Sequence, residues 1–231
     1  MADSSPIKVR TAGALRSGTS VAAERFRAQF NQGFAASFTH GPHIEDELAK
    51  GAGDVDIVGL MDTAIENAIA KGLLAPRRVR VGSIQIGIAM REGAERPDLI
   101  SMDTFIEALR AADALIYTTA ASGEYMAGVF ERLNLTPMLA PKSVRFASGG
   151  EVNERLIAGT ARRELAFGVA TEFLTNTKVV YLGPLPKEIQ NPSPYEFAAL
   201  KGRDGDRRVQ QVLDFFDTEE AREIFAATGV D

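Results

Sequence analysis

The sequence predicts an α/β protein built as two successive units, each a mainly parallel β-sheet flanked by helices. Two observations carry this. Strand and helix patterns alternate from Ile7 to Lys71, the order that lays helices on a parallel sheet, and the alternation begins again after the polar, proline-containing loop from Arg91 to Pro97.

The elements follow in order. Ile7 to Thr11 alternates apolar and polar residues, as a half-exposed strand does, and Gly13 breaks it. Ala22, Phe26 and Phe30 recur every four positions and predict a helix over Val21 to Phe34. Gly33 to Thr39 reads as a strand, His40 to His43 as a turn, and Ile44 to Lys50 as a short helix ending at Gly51. Asp56 to Leu60 is a third strand and Met61 to Lys71 a third helix, closed by Gly72. The apolar run Ile84 to Met90 reads as one strong strand.

In the second unit Ser101 caps a helix with Met102, Phe105, Ile106 and Leu109 on one face, and Ala114 to Tyr117 is a buried strand. Ser122 opens a helix that carries Tyr125, Met126, Val129, Phe130 and Leu133 at helical spacing. Strands Ser143 to Phe146 and Leu165 to Val169 flank a helix with Val152, Leu156 and Ile157. Lys178 to Leu182 leads into Gly183-Pro-Leu-Pro186, a rigid stretch suited to a crossover between units. The final part reads as helical: Val209, Val212, Leu213 and Phe216 share a face, and Thr218 caps a last helix with Glu219 and Glu220 in its first turn.

Composition removes several classes of function. With 45% hydrophobic and 25% charged residues the chain can bury a real core, so disorder is excluded. A net charge of -5, with both signs interspersed, offers no basic stripe for a nucleic-acid backbone. No apolar run reaches the ~18 residues of a membrane span, so no membrane insertion is expected. The start, Met1 to Pro6, lacks the basic and apolar regions of a signal peptide. Without cysteine there are no disulfides, thiolate metal sites or cysteine nucleophiles.

Three loops place small residues between a strand and a helix: Ala12 to Gly18, Thr118 to Gly123 and Ala147 to Glu151. Small side chains let a ligand reach the backbone, and a helix start presents unpaired N–H groups with a partial positive charge. An anion can be held there without a salt bridge. The same residues also serve any parallel α/β fold in its tight turns.

His40 and His43, the two histidines, lie near Asp46 and Glu47, yet Pro42 and the missing His-Glu-x-x-His spacing argue against a metal. They read as donors to an anionic ligand or as solvated residues. Arg16 reads as a partner for a carboxylate or as a plain surface charge. Lys50 to Asp56 holds a fragment of a dinucleotide fingerprint, but it precedes a strand and lacks the third glycine, so it is a loop and no cofactor is expected. No Walker A sequence or Gly-x-Ser-x-Gly elbow is present, and no catalytic residue is assigned.

Val9 to Ala14, Ser37 to Pro42, Ala52 to Ile57, Ala120 to Gly123, Gly183 to Gln190 and Leu213 to Ala221 together resemble, in order and spacing, the type 2 periplasmic substrate-binding proteins, within them the molybdate-binding-like branch. The resemblance implies two lobes joined by two crossover segments, closing on a ligand by hinge bending. Lobe one would hold residues 1–82 and 190–231, and lobe two residues 83–189. It also implies delivery of a small anion to a membrane ABC permease, and hence a periplasmic location, with a cytoplasmic one as the alternative.

Position by position, the resemblance places the ligand at Ala14 and Leu15, at Thr39 and His40, at Ser122 and Gly123, and at Gly150. Molybdate binders of this branch favour serine hydroxyls where Ala14, Leu15 and His40 stand, so a small carboxylate is as reasonable a ligand as a tetrahedral oxyanion. Some relatives resemble isomerases of unsaturated tricarboxylic acids. An isomerase or lyase acting on an acid such as aconitate is therefore the alternative, with His40 or His43 carrying the proton and Arg16 gripping a carboxylate. A cytoplasmic ligand-sensing module on the same fold is a third reading.

Overall fold

A computed structural model describes residues 5–51 and 54–231; Ala52 and Gly53, inside the loop expected over residues 50–56, and residues 1–4 lie outside the described residues. The chain divides into two units, one running up to Ile84 and resuming at Ser193 to Asp231, the other Gln85–Pro192. It therefore passes between them at residues 84/85 and 192/193.

In the first unit the elements are β1 (Ile7–Ala12), α1 (Arg16–Phe30), β2 (Phe34–Thr39), α2 (Gly41–Ala49), β3 (Ile57–Met61), α3 (Asp62–Ala70) and β4 (Leu74–Ile84). The second unit holds β5 (Ile86–Arg91), α4 (Met102–Ala111), β6 (Ala114–Thr118), α5 (Ala121–Arg132), α6 (Thr136–Leu139), β7 (Ser143–Phe146), α7 (Gly149–Ala158), β8 (Glu164–Val169), α8 (Ala170–Leu174) and β9 (Val179–Pro184). The first unit is completed by β10 (Ser193–Leu200), α9 (Arg207–Phe216) and α10 (Glu219–Ala226).

The two sheets share one plan. Their orders are β2-β1-β3-β10-β4 and β7-β6-β8-β5-β9. In the first, β1 pairs in parallel with β2 and β3, while β10 runs antiparallel to both of its neighbours. In the second, β6 pairs in parallel with β7 and β8, and β5 is the antiparallel strand. In each sheet the strand that follows a passage from the other unit, β10 in the first and β5 in the second, is thus the one that runs against the rest.

Both faces of the second sheet are buried, which is why its strands read as unbroken apolar runs. Side chains alternate along them: Ile88, Leu115, Tyr117 and Phe167 enter one cluster with Phe105 and Phe130, whereas Ala89, Ile116 and Ala166 enter another with Val152, Leu156 and Phe173. In the first unit the core is aromatic. Phe197 of β10 stacks on Phe216 of α9 at 4.3 Å, and Phe225 of α10 lies 5.9 Å from Phe197. Full burial of each such ring contributes about 1.5–3 kcal/mol.

Several expectations are corrected. The first helix runs from Arg16 to Phe30, since Asn31 adopts a left-handed φ of 50° and stops it, leaving Phe34 to begin β2. The turn expected over His40 to His43 is helical from Gly41 onward, because a proline in the first turn costs no hydrogen bond. The run Ile84 to Met90 is split between β4 and β5. Gly183 and Pro184 belong to β9, not to a crossover. The stretch between it and the final helices, which carries no predicted element, contains β10. Ser122 is the second residue of α5, whose N-cap is Ala120.

Candidate functional site

In a parallel sheet the carboxyl ends of neighbouring strands share one edge, and β1, β2, β3, β6, β7 and β8 each hand the chain to a helix start at that edge. The register sets this directly. Ala12 is paired with Thr39, so the starts of α1 and α2 lie side by side, and β3 ends next to them at Met61. In the second unit Thr118 is paired with Phe146, which sets the starts of α5 and α7 together, with β8 on the other side of β6.

The helix starts differ in capping. The N-termini of α1, α2, α3, α5 and α8, all following strands, have no side-chain cap. Those of α4, α7, α9 and α10 are capped by Ser101, Ser148, Asp206 and Thr218. The short α6, Thr136–Leu139, is uncapped too, but it does not follow a strand. An uncapped start leaves backbone N–H groups for an outside acceptor.

In the first unit a 3-10 turn, Gly13–Leu15, joins β1 to α1. Ala14 is half-buried, and the Leu15 side chain is fully buried, so only the backbone of Leu15 can face a ligand. Arg16 is exposed, lies 4.4 Å from the centroid of the Phe38 ring, and has no ion pair among the described residues. Thr39 ends β2, and exposed His40 is the N-cap of α2, its carbonyl accepting from His43 and Ile44. His43 sits within α2, its Nε2 3.1 Å from Glu47, which also accepts from Arg10 at 2.8 Å. The first unit thus brings Ala14, Leu15, Arg16, Thr39 and His40 to one edge, while His43 is engaged by Glu47. Asp62, at the start of α3, accepts from the N–H of Thr63 and places a negative charge at that tip.

In the second unit Thr118 Oγ1 accepts from the Ala120 N–H at 3.3 Å and lies 3.4 Å from Ser122 Oγ. The N–H groups of Ala121 and Ser122 then have no acceptor among the described residues. Gly123 packs against the Thr118 backbone, where a Cβ would overlap the carbonyl oxygen. At α7, Ser148 and Glu151 form a capping box: Ser148 Oγ accepts from the Glu151 N–H, and the Glu151 carboxylate accepts from Ala147 and Ser148. Between them the N–H groups of Gly149 and Gly150 have no acceptor among the described residues. Arg145 donates to the Thr118 carbonyl at 3.2 Å, pairs with Glu124, and lies 5.3 Å from the Tyr117 ring centroid.

Sequence reasoning passed over the starts of α3 and α8. The second was readable: Phe167-Gly-Val-Ala-Thr-Glu172 is again a strand, small residues and a helix. Glu172 lies against Gly149 of α7, its carboxyl filling the space that a Cβ there would take, and burial raises its pKa above the usual glutamate range. Among the described residues no group of three or more metal-ligating side chains is found, and no helix is long and apolar enough to cross a membrane.

Two five-stranded sheets of this order, each with helix starts gathered at its carboxyl edge, make up the type 2 periplasmic binding protein fold. The family model of the bacterial extracellular solute-binding proteins matches residues 7–231, and the chain belongs to that family. Solved structures agree on the fold. The Azotobacter vinelandii periplasmic molybdate-binding protein matches with a TM-score of 0.78 at 17% identity, over 97% of this chain and 98% of its own. The substrate-binding domain of a putative molybdenum ABC transporter from Clostridium difficile matches with a TM-score of 0.77 at 15% identity, over 97% of each chain. A curated relative, the aconitate isomerase of a Pseudomonas species, is 25% identical over 189 residues, covering 81% of this chain and 71% of its own.

Proposed function

We propose that the protein is the solute receptor of an ABC importer and that it holds a small anion on backbone N–H groups at the starts of α1, α2, α5 and α7. The observation that carries this reading is the pairing of helix starts at the carboxyl edge of each sheet, uncapped at α1, α2 and α5, with the N–H groups of Ala121, Ser122, Gly149 and Gly150 in the second unit left without an acceptor among the described residues. Arg16 adds the one positive charge at the edge of the first unit that no carboxylate of the described residues neutralises.

The edge of the first unit lacks the serine hydroxyls that would suit a bare tetrahedral oxyanion, since Ala14, Leu15 and His40 stand there. A small carboxylate, able to lay its oxygens on two adjacent N–H groups and a guanidinium, fits these residues as well as molybdate or sulfate does. Family membership supports a place outside the cytoplasm, in the periplasm, and a membrane permease as the partner.

Isothermal titration with molybdate, tungstate, sulfate and a panel of di- and tricarboxylates tests the proposal. Saturable binding of at least one anion is expected, and silence from all of them at millimolar concentration refutes it. The aconitate isomerase relative favours a second reading, proton transfer on an unsaturated tricarboxylate by exposed His40. Isomerisation of aconitate followed by NMR, and lost in His40→Ala, is the result that would establish it over simple binding.

A further inference from the structure

We infer that the side chain of Gln190 is a hinge clamp: it ties the two segments that pass between the units to one another inside the second unit, and so confines flexure to Gln85 and to Asn191-Pro192. The chain makes its passages at residues 84/85 and 192/193. On the first unit's side the sheet itself holds the two segments together, since the ladder of β4 and β10 runs out to the pair of Ile84 with Ser193. On the second unit's side β9 has already ended at Pro184, and Gln190 lies outside every strand. Its half-buried side chain closes the gap. Gln190 Oε1 accepts from the Ile86 N–H at 3.1 Å, and Nε2 donates to the Ile86 carbonyl at 2.9 Å. A carboxamide offers an acceptor and a donor side by side, as a peptide group does, so it stands in for a strand residue opposite Ile86.

The bonds around the clamp extend it. Oε1 of Gln190 also accepts from the Asn191 N–H at 3.1 Å, and the Leu185 N–H shares the Ile86 carbonyl at 3.0 Å. The carbonyl of Gln85 accepts from Ala170, the first residue of α8, at 2.9 Å. Tyr125, one turn into α5, donates its Oη to the carbonyl of Ile189 at 2.9 Å. The helix whose start bears the Ala121 and Ser122 N–H groups is thereby bonded to the residue next to the clamp. Between the pair of Ile84 with Ser193 and the pair of Ile86 with Gln190, three residues remain, Gln85, Asn191 and Pro192. Pro192 has a fixed φ and restricts Asn191, so few torsions are left to bend. A short hinge with a firm stop on each side lets the units move without fraying either sheet.

Amide hydrogen exchange on the full chain tests the clamp. In Gln190→Leu the Ile86 N–H loses its acceptor and should exchange about tenfold faster, the value of one hydrogen bond, while the buried Ile116 and Phe167 amides exchange as in the wild type. Gln190→Glu keeps an acceptor for that N–H and loses only the donor to the carbonyl, so its Ile86 exchange should stay nearer to the wild type. For the hinge, spin labels are placed at Glu107→Cys and Glu223→Cys, exposed positions of α4 and α10 in a chain that has no cysteine of its own. Their distance distribution should broaden in Gln190→Leu, and also in Pro192→Gly, where the Ile86 exchange should not change. If Gln190→Leu also quickens the Ile116 and Phe167 amides, the distribution in Gln190→Glu carries the test, with broadening again expected. Unchanged Ile86 exchange in Gln190→Leu overturns the clamp, and faster exchange without broadening overturns its part in the hinge. Both readouts are taken without solute, so silence from every anion in the titrations above would refute the receptor and leave the clamp standing.

Discussion

The Cα of Gly123 rests directly on the carbonyl of Thr118, five residues earlier in the chain, so tightly that any side chain at 123 would overlap the oxygen. This contact draws the first turn of α5 onto the end of β6 and sets the direction of the Ala121 and Ser122 N–H groups. Because the obstacle is backbone, it cannot rotate away.

Gly123→Ala is accordingly expected to cost about 1–3 kcal/mol of stability, the usual range for overpacking, and to weaken anion binding through displacement of the α5 start. Gly128→Ala on the same helix, where a Cβ meets only the mobile end of Arg132 at 3.4 Å, is the control and should be neutral or slightly stabilising. Denaturant unfolding of the two variants checks this. Equal stabilities would show that the Thr118 contact is not limiting.

A second prediction concerns Glu196 in β10, which is 9% exposed and whose Oε2 has no hydrogen-bond partner in the described structure. Burial raises its pKa, and Arg78, 3.6 Å away, only partly opposes this. A carboxyl raised in the folded state binds its proton more tightly there than in the unfolded chain. Its stabilising contribution is complete below the ordinary glutamate pKa and is lost as pH climbs through the raised value. Glu196→Gln should match the wild type in melting temperature at about pH 4 and exceed it increasingly toward about pH 8. A gap that does not change with pH would contradict the assignment.

Asp206 predicts the opposite sign. Its side chain accepts from the Arg208 N–H at 2.9 Å as the cap of α9, and the hydrogen bond from the Arg208 side chain holds its pKa below the usual aspartate range. The stabilisation is present above the unfolded aspartate pKa and is lost as pH falls through the lowered, folded one. Asp206→Ala should cost about 1 kcal/mol at neutral pH, as loss of a cap does, with the difference from wild type shrinking in acid. Asp206→Asn retains the acceptor and should recover most of the loss without that pH dependence.

How far the sequence could be read depended on whether local pattern or long-range pairing decided each element. Ala114 to Thr118 was legible as a short apolar run buried throughout, and the Val209 to Phe216 face because its apolar residues recur in step with burial. β4 and β10 were not. Pro76 and the exposed arginines of β4 blur its alternation, as suits an edge strand, while β10 opens Ser193-Pro194 and is held by antiparallel partners distant in the chain. Small-residue loops did mark helix starts. They could not show that Leu15 is packed inward, that Glu47 holds His43, or that Glu172 reaches Gly149, since each is a contact made only when separate elements meet.

Arg16 and His43 give the last prediction, because the sequence made both candidates and the structure surrounds them differently. Arg16 keeps its guanidinium over Phe38 with no carboxylate attached among the described residues, so its charge is available to a ligand at the α1 start. His43 lies with its Nε2 3.1 Å from Glu47, itself held by Arg10 at 2.8 Å, and so has little to offer an anion. For whichever anion binds best, Arg16→Ala should weaken the Kd by about tenfold, close to 1.4 kcal/mol, and flatten its dependence on ionic strength. His43→Ala should change the Kd by less than about twofold, within the spread of surface substitutions. Titration of both variants over a range of salt concentrations decides between them: if His43 carries the larger loss, the ligand lies deeper along α2 than its first turn.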